Sequence, residues 1–165
     1  MPQITSIKIT VNGTPHELVI GSDFVPSDTL SQTLRDELGL IGTKVACDRG
    51  ACGACTVIAD GQAILSCTTL TIECDGMNIT TIEGLEDPKT GELHPLQQSF
   101  VDNTAFQCGF CTPGIIMTAK ALLDESPSPT EEEIKEALAG NFCRCISHYE
   151  VLKAIMATRQ GEKHG

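Results

Sequence analysis

Nine cysteines in a chain of 165 residues define the chemistry available to this protein. Four of them, Cys47, Cys52, Cys55 and Cys67, form a C-x4-C-x2-C run followed by one distant thiol. That is the plant-type spacing for a [2Fe–2S] cluster. Three thiols so close in sequence must converge on one small object. Gly50 and Gly53, set between them, let the backbone bend and bring N–H groups against sulfur. Such N–H groups offset the negative charge of an iron–sulfur centre held by four thiolates. The alternative is zinc held by four cysteines. Zinc sites usually carry two short Cys-x(2–4)-Cys pairs, whereas here the fourth thiol stands alone. A second set follows: Cys108 and Cys111 as C-x2-C, then Cys143 and Cys145 as C-x-C. C-x-C is an unusual spacing for zinc. Two sets of four thiols point to two clusters. Cys74 lies outside both and reads as a small buried side chain.

A [2Fe–2S] cluster moves one electron at a time, and nothing else in the chain suggests bond-making chemistry. No nucleophile constellation, P-loop or G-x-G-x-x-G is visible. His16, His94, His148 and His164 are scattered and read as surface or hydrogen-bonded residues. The formal net charge of −11 argues against nucleic acid or anionic lipid as the main partner. One Tyr and five Phe are too few for a base-stacking platform. No segment is long and apolar enough to span a membrane, and the first residues lack the pattern of a signal peptide. An odd cysteine count without a secretory signal argues against a disulfide framework, so a reducing, cytoplasmic setting is expected.

The elements that must position these thiols are legible in outline. Ile7, Ile9 and Val11 alternate with Lys8 and Thr10 as a half-buried strand. Asn12-Gly13 predicts a hairpin turn, with a return strand from Glu17 to Ile20. Leu30, Leu34 and Leu38 predict a helix, capped by Thr29 with Gln32 and ended at Gly39. Thr56 to Ile58 and Ile64-Leu65 flank Asp60-Gly61 as a second hairpin, and a last strand is expected from Asn78 to Ile82. Turn chemistry between Leu85 and Leu93 suits a linker. Four helices are then expected: Pro95 to Asn103, Gly114 to Asp124, one capped by Thr130 with Glu133, and Tyr149 to Arg159. Gly161 to Gly165 reads as a frayed end. The fold class is α+β: a β-grasp, plant-type ferredoxin-like domain over residues 1–84, then a four-helix bundle over residues 85–165.

Taken together, these motifs resemble the small iron–sulfur subunit of the molybdenum hydroxylases, the family that includes xanthine dehydrogenase. The matching residues are Gly42-Thr43-Lys44, Cys52-Gly53-Ala54-Cys55-Thr56-Val57, Ser66-Cys67, Thr81-Ile82-Glu83-Gly84, Gln107-Cys108-Gly109-Phe110-Cys111-Thr112-Pro113-Gly114 and Ala139-Gly140-Asn141-Phe142-Cys143-Arg144-Cys145. The resemblance implies an electron-transfer subunit with chemistry on substrate carried by a partner. It implies that Cys108, Cys111, Cys143 and Cys145 hold the cluster nearer molybdenum, and Cys47, Cys52, Cys55 and Cys67 the farther one. It implies that Gln107 and Cys145 lie against the pterin, in its dinucleotide form. For Gln107 the alternative is a helix-end cap. The implied partners are a large molybdenum subunit and an FAD-binding subunit, assembled as a dimer of heteromers. Two departures from the family pattern stand out. Ala46 precedes the first cysteine where Gly is common, and Ile146-Ser147-His148 follows Cys145 where Thr-Gly-Tyr is usual. A free two-cluster ferredoxin is the first rival reading, although such a carrier needs only the β-grasp part. An iron–sulfur transcriptional sensor is the second, and the acidity and lack of a basic recognition helix count against it.

Overall fold

Alternation of Ile7, Ile9 and Val11 makes the strand β1 (Ser6–Val11), with all three side chains buried. The computed structural model describes residues 5–158. Asn12 and Gly13 both take positive φ, 51° and 77°, the geometry of a two-residue hairpin turn. The return strand β2 is Thr14–Val19, earlier than the expected Glu17 to Ile20. The tight turn fixes this, because it pairs Val11 directly with Thr14. Strands β3 (Thr56–Ala59) and β4 (Gln62–Leu65) meet across Asp60-Gly61. The last strand, β5 (Asn78–Thr80), lies parallel to β1 and antiparallel to β3. It stops short of the expected Ile82. The Asn12 side chain accepts the Thr81 N–H at 2.9 Å, and the chain turns into a 3-10 segment, Ile82–Leu85. The mixed sheet runs β2-β1-β5-β3-β4.

The helix expected over Leu30 to Leu38 is shorter and wider. Its capping box forms as expected, with Thr29 and Gln32 bonding each other's backbone. Regular helix α1 covers only Leu30–Gln32, and Thr33–Glu37 continues as a π turn closed by Leu38 N–H on Thr33 carbonyl at 3.0 Å. Leu30 and Leu34 are fully buried against the sheet, but Leu38 is only half-buried. Thr33 turns inward, and its hydroxyl meets that of Thr71 at 2.7 Å. Cys74 is buried in this core, as expected, with its thiol toward the Leu70 carbonyl.

Four helices follow: α2 (Pro95–Asp102), α3 (Thr112–Glu125), α4 (Glu131–Ala137) and α5 (His148–Met156). Each packs against two of the others: α2 on α3 and α5, and α4 on α3 and α5. Leu96, Phe100, Ile115, Ile116, Ile134 and Ile155 fill the space between them. Thr130 and Glu133 cap α4, as their spacing predicts. The cap of α2 has no such signature. His94 Nδ1 accepts the Leu96 N–H at 3.2 Å, a role that residue type rarely signals. Helix α5 ends at Met156, and Arg159 and Gly161 to Gly165 lie outside the described residues.

Helix α3 ties the two parts together. Ile115, Ile116 and Ala119 face the other helices, while Met117 and Ala121 pack with Ile58 of β3. A helix that is apolar on both faces must be buried on both. No helix among the described residues is long and apolar enough to cross a membrane.

Candidate metal centres

Cys47, Cys52 and Cys55 of the first set sit on the loop between the π turn and β3, Cys67 follows β4, and two charged side chains fix the start of that loop. Arg35 donates to the carbonyls of Ile41 and Thr43, at 3.0 and 2.6 Å. Glu83, from the 3-10 segment after β5, accepts the Gly42 N–H at 2.7 Å. Beyond this point the loop turns inward to Cys55, while Ser66 ties the end of β4 to the Cys55 carbonyl at 2.7 Å. Cys47 faces Cys52, and Cys55 faces Cys67. The Ala51 N–H points at Cys47 sulfur (3.2 Å) and the Gly50 N–H at Cys67 sulfur (3.4 Å), as the glycine spacing predicts. Asp48 also takes positive φ, 51°, a strained turn that the spacing does not reveal. Ala46 is not among the positive-φ residues, so the absence of glycine there costs nothing. The Cys47 thiol is lowered to about 7 by the N–H groups of Arg49 and Ala51 and by Cys52. Burial and the Cys55 thiol push Cys67 up to about 11.

The second set sits at helix ends. Cys111 is the residue before α3, and Cys143 and Cys145 lie on the turn before α5. Cys145 and Cys108 are exposed, with their sulfurs 3.7 Å apart. Cys111 faces Cys143, and both are half-buried. The N–H groups of Cys145 and Ile146 each point at Cys143 sulfur at 3.4 Å. Ile146, in one of the two departures from the family pattern, thus still supplies a donor to sulfur. Ser147 beside it caps α5, accepting the Tyr149 N–H at 3.1 Å. Burial and the Cys143 thiol push Cys111 up to about 12. Burial raises Cys143 as well, but the Cys111 thiol and the two N–H groups outweigh it and leave Cys143 lowered. Gln107 is exposed next to Cys108. Phe110, Phe142 and Tyr149, at 46, 66 and 73% exposure, surround this set with apolar surface.

The eight thiols therefore form four facing pairs, two pairs per set. A tetrahedral zinc site draws its ligands to one point. A two-iron cluster instead asks for two thiolates on each iron, which the two facing pairs of each set would supply. The thiols fit a binuclear cluster in each set, and both members of each pair must lose their protons to bind one.

Two family models match the chain. One, described as a 2Fe-2S iron-sulfur cluster binding domain, covers residues 9–76, and the other, a [2Fe-2S] binding domain, covers residues 81–156. The nicotine 6-hydroxylase small subunit of Paenarthrobacter nicotinovorans is 42% identical over 96% of this chain and 93% of its own length. The nicotinate dehydrogenase small FeS subunit of Eubacterium barkeri is 42% identical over 94% of both chains. The chain belongs to the small iron–sulfur subunits of the molybdenum hydroxylases. Solved structures agree. Quinoline 2-oxidoreductase from Pseudomonas putida 86 superposes with a TM-score of 0.86 at 39% identity, covering 98% of this chain and 100% of that one. Aldehyde oxidoreductase from Desulfovibrio gigas superposes with a TM-score of 0.84 at 41% identity, where this chain spans 17% of the longer protein.

In this small iron–sulfur protein the two cysteine sets meet. The Phe142 N–H, one residue before Cys143, donates to the Cys52 carbonyl at 2.9 Å. The Asn141 amide donates to the Gly53 carbonyl at 3.2 Å. Gly114 of α3 lies so close that a Cβ there would fall on the same carbonyl and on the Ala54 backbone. No local pattern signals this contact, because its partners are 88 residues apart.

Proposed function

We propose that this chain passes single electrons between a molybdenum–pterin centre on a large catalytic partner and FAD or another acceptor, through two [2Fe–2S] clusters. The observation that carries this reading is the pairing of eight thiols into two binuclear sets joined by direct contact. Cys108, Cys111, Cys143 and Cys145 hold the cluster nearer molybdenum, and Cys47, Cys52, Cys55 and Cys67 the farther one. When bound, each cluster takes up and gives back one electron. The chain's own residues supply thiolates at fixed separations, N–H donors to sulfur, and a burial that differs between the sets. Residues 1–84 act as a β-grasp domain and residues 85–165 as a four-helix bundle. Gln107 and Cys145 face the pterin, in its dinucleotide form. An FAD-binding partner, a dimer of heteromers and a cytoplasmic setting complete the proposal.

Metal analysis tests it most directly. The purified chain should carry about four irons and about four acid-labile sulfides per copy. Stoichiometric zinc with little iron would overturn the assignment.

The exposed Phe110, Phe142 and Tyr149 support a subunit over a free carrier, since apolar surface around the second set suits a buried interface. Phe142→Asp should weaken binding to the large subunit by at least about tenfold, as expected for a buried aromatic anchor. Its backbone N–H to Cys52 is retained, so iron content should not change. Titration calorimetry with the large subunit reads the effect, and an unchanged Kd removes this face from the interface.

A further inference from the structure

The Gly53 carbonyl is the meeting point of the two halves of the chain. Three donors converge on it. Thr56 gives its N–H at 3.2 Å and its hydroxyl at 2.7 Å, both from the β-sheet side. Asn141 gives its side-chain amide at 3.2 Å from the helical side. The carbonyl lies between Cys52 and Cys55, so it sets the direction of the peptide joining them. Gly53 takes φ of +70°, and a Cβ there would meet the Asn141 side chain and the Gly140 carbonyl. The fit therefore excludes any larger residue at position 53. Asn141 is only 6% exposed and sits two residues from Cys143, yet its amide is turned toward the other cysteine set.

We propose that Asn141 is a positioning residue for the first cluster, not for the second set beside which it sits. Its N–H fixes the Gly53–Ala54 peptide, and with it the separation of Cys52 and Cys55. The partial positive charge of that N–H also lies next to the loop that surrounds the cluster. Reduction makes a cluster more negative, so a donor held there favours the reduced form. Removing the donor should make the first cluster harder to reduce, and a carboxylate in its place harder still. The proposal rests on the assignment of Cys47, Cys52, Cys55 and Cys67 as ligands of that cluster.

The test uses the full chain with its iron, in redox titrations followed by EPR. Cys55→Ser and Cys111→Ser first assign each signal by its loss. Asn141→Asp keeps the size of the side chain and replaces the donor with a negative charge, while Asn141→Ala removes the donor without adding one. At the potential where the wild-type first cluster is half reduced, the ratio of reduced to oxidised first cluster should fall about tenfold in Asn141→Asp. It should fall less in Asn141→Ala. The first signal should also change shape, while the second signal keeps both its shape and its titration. Thr56→Val, which removes a donor from the sheet side, should alter the same signal. An unaltered first signal in both Asn141 variants, or a change confined to the second, overturns the proposal. A wild-type chain without two distinct iron–sulfur signals overturns the ligand assignment, and this inference with it.

Discussion

Replacing Cys111 with serine should leave the first cluster oxidised after substrate is added to the assembled enzyme, and turnover should fall to background. Cys111 faces Cys143 in the half-buried pair of the second set. Serine keeps the shape, but its hydroxyl stays protonated where a thiolate is needed. If the second set stands between molybdenum and the first, its loss stops electrons at the first step. Cys55→Ser should give the opposite pattern. The second cluster should still bleach in a single turnover, while steady transfer to the acceptor collapses. Rapid-mixing absorbance with EPR separates the two. Both variants need an iron count beforehand, because lost ligands can unfold a metal domain. The Phe142–Cys52 hydrogen bond makes that check more important, since damage on one side can reach the other. Reduction of the first cluster at the normal rate in Cys111→Ser would falsify the proposed order.

What is legible in the sequence follows from the range of each interaction. Ile7, Ile9 and Val11 declare a strand because the strand period is two, and Asn12-Gly13 declares its turn because few residue pairs tolerate positive φ twice. The capping boxes at Thr29 and Thr130 involve residues three apart, and both are readable. The π turn after Gln32 is not, since Leu30, Leu34 and Leu38 keep a helical spacing whether or not the turn widens. The end of β5 is hidden for another reason. It depends on Asn12, 69 residues earlier, capturing the Thr81 N–H.

The site divides the same way. Cys47, Cys52 and Cys55 are grouped outright by spacing, because ligands on one loop lie close in sequence, whereas Cys67 and the union of Cys108 and Cys111 with Cys143 and Cys145 join separate segments. Which thiol faces which is not stated, nor that Arg35 and Glu83 hold the lead-in to Cys47. Those contacts join segments that only the fold brings together. Assigning α3 to the helical part alone is incomplete, and the reason lies in its composition. Met117 and Ala121 extend its apolar surface around to the sheet side, more than one buried face requires.

Gly114→Ala should lower stability by about 2 kcal/mol and the thermal midpoint by about 5 °C, although helix propensity alone favours alanine by about 1 kcal/mol. Gly114 lies in the first turn of α3, where a Cβ would overlap the Gly53 carbonyl and the Ala54 backbone. Neither obstacle is the end of a flexible side chain. Both belong to the loop between Cys52 and Cys55, which Thr56 and Asn141 already hold. Relief must therefore come from moving α3 off the sheet or from distorting the cysteine loop, and overpacking of this kind typically costs about 1–3 kcal/mol. On heating, the visible absorbance of the first cluster should be lost before that of the second. Gly140→Ala is the control. Nothing lies within 4 Å of a Cβ there, so its midpoint should stay within about 1 °C of wild type. A Gly114→Ala chain as stable as the wild type, with both clusters retained, would mean that the two halves are not locked through this contact.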